Sequence, residues 1–509
     1  MLSSSSYPVV VVGGGPGGIM AAMACASCGV KTLLVEQGAF LGGTATRSVI
    51  GPISPFHYQD EQIIRGFPQR LIDRMVSLGG ATGHLKCINP RGTGSYICLY
   101  DHETYKYAAQ EMLLEAGVEI LFHACVQQVI KSGGAVVGVV LGSRFGSMPI
   151  QSQIVIDATG DGDVAVLAGE EYSIGNAEGK MQPASLMFEM ANVDTQALYD
   201  YILKNPQQFT RRSDLVNVHG GHDQNGLSYF VAQGYVSLVR QAVENGTLRF
   251  GRDNIHTITG FHPGWVHFNS VRLSGYNTLD LWERSAAEKD GRRQMESIAA
   301  FMKKKVPGFE HAFIARAGCE IGIRETRHIQ GMYQLTADDV ISGKKFEDAI
   351  SRGGFAIDSH LEKPMAGSAG VGGIWRDLND CYDIPYRCLI PLRTDGLLLA
   401  GRSISGDAEA HASFRTQGVL MGYSQAAGIA AALCIQENCQ PRKMKAERIQ
   451  RQLMHFDASP FRDETRRAEE KKKADEAVLQ FLRSHPDNIT EGKYLQPYLD
   501  MMKAATETK

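Results

Sequence analysis

At 509 residues the chain is too long for one simple core, and 43% hydrophobic with 21% charged residues is an ordinary globular balance, so two or three domains are expected. A net charge of −3, with most basic residues interspersed among acids, excludes a nucleic-acid or anionic-membrane binder as the first reading. No signal-peptide pattern follows Met1, no uninterrupted apolar run reaches about 18 residues, and ten cysteines without a spacing framework read as reduced thiols of a cytoplasm.

Residues 8–12, PVVVV, have the composition of a buried parallel strand. Gly13, Gly15 and Gly18 then satisfy G-x-G-x-x-G, a small-residue helix runs to about Cys28, and KTLLVE at 31–36 is the next strand, ending in Glu36. This complete βαβ pattern is the signature of dinucleotide binding. The first glycine permits a tight turn, the second lets backbone approach a pyrophosphate, and the third lets helix and strand pack closely. Glu36 is placed to accept from ribose hydroxyls, and its charge repels a 2′-phosphate. The opening alone does not separate NAD from FAD. Cys25 and Cys28 form a C-x-x-C inside the small-residue helix, with no partner pair, and read as core.

Between 118 and 157, short β-rich runs alternate with turns and end in DATGD at 157–161. A charged helix is expected at 281–305, stopped by Pro307 and Gly308. DGLLLAGRSIS, 395–405, reads as a buried strand entering a glycine turn, and 418–434 as a helix with a small-residue face. The tail 441–509 reads as helical, charged and peripheral.

A first βαβ, a β-meander ending in ATG, and a late strand–GR–helix resemble the glutathione-reductase-like FAD/NAD(P)-binding fold. More closely, the chain resembles the bacterial FAD-dependent oxidoreductase family, and more distantly the fumarate-reductase flavoproteins. The carrying stretches are GGGPGG with Glu36, LGGTAT (41–46), VIDATGDGDVAVLAG (155–169), PGFE (307–310), GIRETRHIQGMYQLTADDVISGKKFEDAI (322–350), FAIDSH (355–360), YDIPYRCLIP (382–391) and the late GR segment. The resemblance implies an α/β fold with a discontinuous FAD-binding domain, 1–180 with an excursion at 45–100 and 370–440. Residues 181–369 would be an inserted α+β substrate domain, and 441–509 a helical extension.

By motif, the resemblance places Gly13, Gly15, Gly18 and Glu36 at the FAD pyrophosphate and adenosine ribose, and Gly42, Gly43 and Thr44 near pyrophosphate and flavin. Val126 would meet adenine through its backbone. Ala158, Thr159, Gly160 and Asp161 would close the dinucleotide pocket. Gly401 through Ser405 would meet the ribityl chain, and the helix near Gly418 would aim its N-terminus at the flavin N1/O2 edge. Arg402 departs from the pattern, because many flavin folds carry an acid there, and it leaves the ribityl-binding group open. In flavin enzymes that reduce disulfides a cysteine commonly follows GGT; here that residue is Ala45, and no cysteine occurs from 29 to 86.

The expectation is therefore hydride exchange between FAD and a small organic substrate, an alcohol, a C–H/C–H pair or an activated C=C. The alternative is a flavoprotein electron-transfer subunit of a larger redox complex. Four residues are candidates for the chemistry. His411 and Arg415 stand four apart in EAHASFRTQG, like the H-x-x-x-R of fumarate-reductase-like proteins, where the arginine binds carboxylate. His360 in IDSH is a candidate acid/base, and Arg324 could face a substrate oxyanion, with internal pairing to Glu325 as its other reading. A covalent flavin link through His57, Cys87 or Cys98 is a further possibility. No metal, nucleic-acid or membrane partner is expected; a homo-oligomer or a separate redox partner is compatible with the sequence.

Overall fold

The valine run at the start folds as strand Ser5–Val12, with Val9 to Val12 buried. A strand apolar on both faces needs cover on both, as a parallel sheet provides. In this computed structural model, which describes residues 5–88, 96–218, 229–360, 373–484, 498 and 500, it lies at the heart of a seven-stranded sheet. The portions of the expected excursion, insert and tail at 89–95, 219–228, 361–372, 485–497, 499 and 501–509 lie outside the described residues.

Strands Thr32–Val35 and Gly146–Asp157 flank Ser5–Val12, both parallel to it, so that Val12 is level with Val35 and Asp157. Glu119–Leu121 extends the parallel sheet. Strand Gly146–Asp157 changes neighbour along its length. Its first half pairs antiparallel with Ala135–Ser143, and its last residues pair parallel with Leu397–Leu399. Cys125–Ser132 completes the meander. The loops at the ends of Ser5–Val12, Gly146–Asp157 and Leu397–Leu399 thereby meet at one edge.

Two small-residue helices pack here, Pro16–Ser27 and Gln417–Gln436. They approach so closely that a Cβ on Gly428 would stand 2.0 Å from the Ala21 carbonyl oxygen. By length and composition Gln417–Gln436 could cross a membrane, but 94% of its apolar window is buried inside the protein. Its hydrophobicity is used in packing.

The second layer is an eight-stranded antiparallel sheet: Phe313–Ala317, Phe188–Ala191, Val266–Phe268, Ile255–Thr259, Tyr229–Gly234, Phe209–Asn217, Leu85–Ile88 and Tyr96–Ile97. The last two strands come from the 45–100 excursion, which thus completes the sheet of the 181–369 insert. Helix Leu281–Lys305 covers this sheet with Ala287, Gly291, Met295, Ile298 and Met302, a helical spacing of apolar and small residues. Asp280 caps it by accepting from the Trp282 and Glu283 amides. Residues from the end of the insert return to the first layer, where Ala349–Gly353 pairs with Tyr382–Pro385.

The tail is less peripheral than its charge suggests. Helix Glu464–Ser484 buries Val478 and Leu482 against Ile88 and Val216, and Glu470 accepts from the Gln62 amide at 2.8 Å. The polar residues are solvated, while one narrow apolar stripe docks.

Candidate active site

One cavity of about 1190 Å³ extends from the first βαβ turn to the eight-stranded sheet. Gly13, Gly15, Glu36, Gly43 and Thr44 line its first end. Gly13 has φ +109°, and a Cβ there would fall 2.3 Å from the Ala158 carbonyl oxygen; a Cβ on Gly18 would fall 1.7 Å from that of Gly13. The protein's own packing demands these two glycines. Gly15 differs. Its φ is −73°, and the nearest atom to an added Cβ is 3.9 Å away. Nothing in the protein requires glycine there, and the space opens into the cavity.

Glu36 is oriented by the backbone, accepting from the amides of Gly14 at 2.8 Å and Gly38 at 2.6 Å. Each carboxylate oxygen keeps acceptor capacity. Val126 lines the same cavity. Gly18 and Gly42 lie behind the wall; Gly42, at φ +111°, donates to the Gly14 carbonyl.

Ala158, Thr159, Gly160 and Asp161 line the cavity on a turn organised by a residue the motif reading passed over. Asp157 accepts from the Thr159 amide and hydroxyl and from the Ala165 amide, and burial pushes its carboxyl up to about 6. Asp161 is ion-paired with Arg402 and accepts from Thr326 Oγ1 at 2.8 Å. Burial acts to raise the Asp161 pKa, but Arg402 and Thr326 hold it below the usual value. So beside the arginine that replaces the expected acid, a carboxylate arrives from another strand.

Besides Gly18 and Gly42, two more expected cofactor positions fall outside the cavity wall. Ser405 is fully buried and its hydroxyl accepts from the Gly331 amide, because the chain turns inward after Gly401 and Arg402, which do line the cavity. Gly418 gives its amide to the Ser54 carbonyl and packs on Pro55, where a Cβ would come within 1.9 Å of the carbonyl oxygen. Thr416 and Gln417 hold the wall in its place.

Three of the four catalytic candidates converge on this cavity, with a fourth residue that sequence reading missed. Strand alternation puts Asp358 and His360 on one face of Ile357–His360, and His360 Nε2 lies 3.2 Å from Asp358 Oδ2. Arg415, at the end of helix Ala408–Phe414, donates to the Asp358 carbonyl at 3.2 Å. Arg324 donates to the Pro183 carbonyl at 2.6 Å. Removal from water lowers the His360 pKa to about 4, with Arg324 and Arg415 adding to the fall and Asp358 opposing it. The imidazole is neutral at pH 7. Removal from water, then the neighbouring Arg415, brings Arg324 down to about 9. Burial acts to raise the Asp358 pKa, but His360, Arg415 and Arg324 hold it well below the carboxylate range.

His411 is the exception. Its helix forms as the four-residue spacing requires, and Arg415 donates its amide to the His411 carbonyl. The imidazole turns away from the cavity, 4.7 Å from the ring of His328, which is bonded to Glu325 at 2.9 Å. Burial and His328 hold its pKa well below the usual value. Ligand-type atoms of Glu325, His328 and His411 lie within 4.8 Å of one another, yet Arg402 and Arg415 are among the charges acting on His411. The two guanidinium charges oppose a cation there, and among the described residues Nδ1 of His328 and of His411 has no hydrogen-bond partner. Of the covalent-link candidates, His57 and Cys87 line the cavity, while Cys98 is buried with its thiol toward the Leu99 carbonyl. Arg211, Arg252 and His256 also line it; an arginine inside a strand such as FTRRSDLVN was the available signal.

The model of the family described as FAD dependent oxidoreductase matches residues 8–453. The chain belongs to that family. FAD is its cofactor. Thiamine thiazole synthase of Aeropyrum pernix is 30% identical over 163 residues, 30% of this chain and 54% of that enzyme, so the chain spans about half the length of this curated relative. Among solved structures, a geranylgeranyl bacteriochlorophyll reductase-like protein of Thermoplasma acidophilum is similar over 96% of this chain and 89% of that one, with 14% identity and a TM-score of 0.43. A p-nitrophenol 4-monooxygenase of Pseudomonas putida DLL-E4 is similar over 98% and 97%, with 11% identity and a TM-score of 0.45.

The site fits the cofactor of the family. Gly15 leaves open the space that a phosphate needs for close backbone approach, at the start of helix Pro16–Ser27. The cavity also exceeds the roughly 300–1,000 Å³ of a site for one drug-sized ligand, leaving room for a second molecule.

Proposed function

We propose that this oxidoreductase oxidises a C–H/O–H or C–H/C–H pair of a small organic substrate, or reduces an activated C=C in reverse. The observation that carries this reading is that Arg324, Asp358, His360 and Arg415 line the same cavity as the dinucleotide-binding glycines. Bound FAD supplies two-electron redox chemistry by hydride exchange with the substrate. Backbone at Gly13, Gly15 and Thr44 would hold its pyrophosphate, Glu36 its adenosine ribose, and Val126 its adenine. Arg415 and Arg324 anchor a substrate oxyanion or carbonyl oxygen. His360, neutral at rest and donating from Nε2 to Asp358, takes the substrate proton at Nδ1 and returns it in the opposite direction.

Disulfide reduction is not its chemistry on this reading. Neither Cys25 nor Cys28 lines the cavity, and burial pushes their thiols up to about 12 and about 11, the wrong direction for a thiolate nucleophile. Ten cysteines without a spacing framework suit a reduced, cytoplasmic setting.

The test is anaerobic stopped-flow mixing of flavin-loaded protein with alcohols, carboxylates and activated alkenes, following the visible flavin band. Bleaching by a donor or reoxidation by an alkene, unaltered in a Cys25→Ala/Cys28→Ala variant, supports the proposal. Reduction only through an added iron–sulfur protein overturns it in favour of an electron-transfer subunit.

A further inference from the structure

The eight-stranded sheet brings to this cavity charge that proton transfer does not use. Arg211 from Phe209–Asn217 and Arg252 before Ile255–Thr259 line it from that layer, while Arg324 and Arg415 line it from the layer of the glycine turn. Other enclosed arginines are matched by acids: Arg47 by Glu320, Arg352 by Glu61 and Arg402 by Asp161. These four are not. Three of them give recorded hydrogen bonds to neutral carbonyls, Arg252 to Asn269, Arg324 to Pro183 and Arg415 to Asp358. Among the described residues, the Nε of Arg211, Arg252 and Arg415 has no hydrogen-bond partner. Of the carboxylates that act on them, Asp358 is paired with His360, Glu325 is bonded to His328, and Asp253 is exposed to solvent.

The groups feel one another. Removal from water, then Arg272, brings Arg252 down to about 10. Removal from water, then Arg211 and Arg252, brings His256 down to about 3. Positive charge held out of water without a counter-charge is costly, and it persists where a ligand supplies the counter-charge. The cofactor's phosphates are addressed elsewhere, at the glycine turn and its helix N-terminus.

We propose that the substrate is a small organic dianion, with a carboxylate or phosphate group at each of two ends, one held by Arg324 and Arg415 and the other by Arg211 and Arg252. The inference rests on the oxidoreductase reading of the cavity and names its substrate class. Guanidinium forks suit both anions, because each offers paired oxygens to parallel N–H donors. A monoanion satisfies one end and a neutral polyol neither.

The test titrates the flavin-loaded full chain with glutarate, glycerol 3-phosphate, propionate and glycerol, reading the visible flavin difference spectrum and the thermal midpoint. At least one dianion should bind on the order of 10-fold or more tightly than propionate, and glycerol more weakly still; glutarate against glycerol 3-phosphate tells carboxylate from phosphate. Arg252→Gln should weaken the dianion by on the order of 10–100-fold, and leave propionate nearly unchanged. It should also raise the midpoint of ligand-free protein by about 1–3 °C, since an unmatched charge is gone, whereas a structural arginine would lower it. Equal or absent binding across the charge series overturns the proposal, as does unchanged dianion affinity in Arg252→Gln. If that variant does not fold, the wild-type charge series decides alone. Failure of the oxidoreductase reading looks different: dianion affinity would persist in a flavin-loaded protein that no donor bleaches and no alkene reoxidises.

Discussion

Asp358 Oδ2 lies 3.2 Å from His360 Nε2, two residues along one strand, and it is the nearby charge that raises the imidazole's pKa. Asp358→Asn therefore lowers that pKa further and weakens the base. In kcat/KM for substrate-dependent flavin reduction, the acid limb should move to lower pH and the plateau should fall. His360→Ala should retain FAD and slow reduction by on the order of 10²–10⁴-fold. A wild-type rate in folded His360→Ala, across pH, removes the histidine from the chemistry.

Gly15 and Gly18 separate cofactor binding from folding. Gly15→Ala adds a methyl 3.9 Å from its nearest neighbour, so the apoprotein should fold with near wild-type stability and lose affinity for FAD. Gly18→Ala places its methyl 1.7 Å from the Gly13 carbonyl oxygen and should give little folded protein. Denaturant curves with released-flavin assays check both; a yellow, FAD-saturated Gly15→Ala protein contradicts the reading of that space.

The Arg402–Asp161 pair is enclosed, with side chains 15% and 16% exposed, and Thr326 secures its acid. Removing one partner leaves the other charge unmatched. Arg402→Ala and Asp161→Ala should each cost about 3 kcal/mol in urea unfolding of apoprotein. The double variant should cost clearly less than their sum. Additive costs would show that the pair is not coupled.

His102 Nδ1 receives a hydrogen bond from Arg316 Nη1 at 2.8 Å. Arginine can only donate, so Nδ1 must carry a lone pair and the ring is neutral. Burial lowers the His102 pKa to about 4, while the unfolded chain titrates near 6.5. Below pH 6.5 the unfolded state binds the extra proton. The stabilisation is complete above that value and is lost as pH falls toward 4. Wild-type thermal midpoints should decline over this window. His102→Gln, which does not titrate, should flatten the decline; an unchanged slope would assign it to other groups, such as His360.

The dinucleotide end was legible because its determinants are local. Gly13 needs positive φ, Gly18 needs close packing, and both follow from spacing on a strand–turn–helix. Ser405 and Gly418 lie off the cavity wall because lining a cavity depends on where a turn bends after its motif, which spacing does not encode. His411 shows the same limit: the four-residue interval was right, and the side of the helix facing the cavity was not. Asp358, Arg211 and Arg252 were missed for another reason. A matched and an unmatched arginine look identical in sequence, and the difference arises only when distant strands meet.

The order in which the strands are joined sets when the enzyme can acquire its cofactor. Leu397–Leu399 completes the dinucleotide sheet against Gly146–Asp157, and Leu85–Ile88 must wait for Phe209–Asn217. A chain emerging from the ribosome thus exposes its glycine turn long before Gly401, Arg402 and the helix Gln417–Gln436 exist to close over it. FAD capture therefore belongs to the end of synthesis, when the late pairing of distant segments brings both walls of the pocket together.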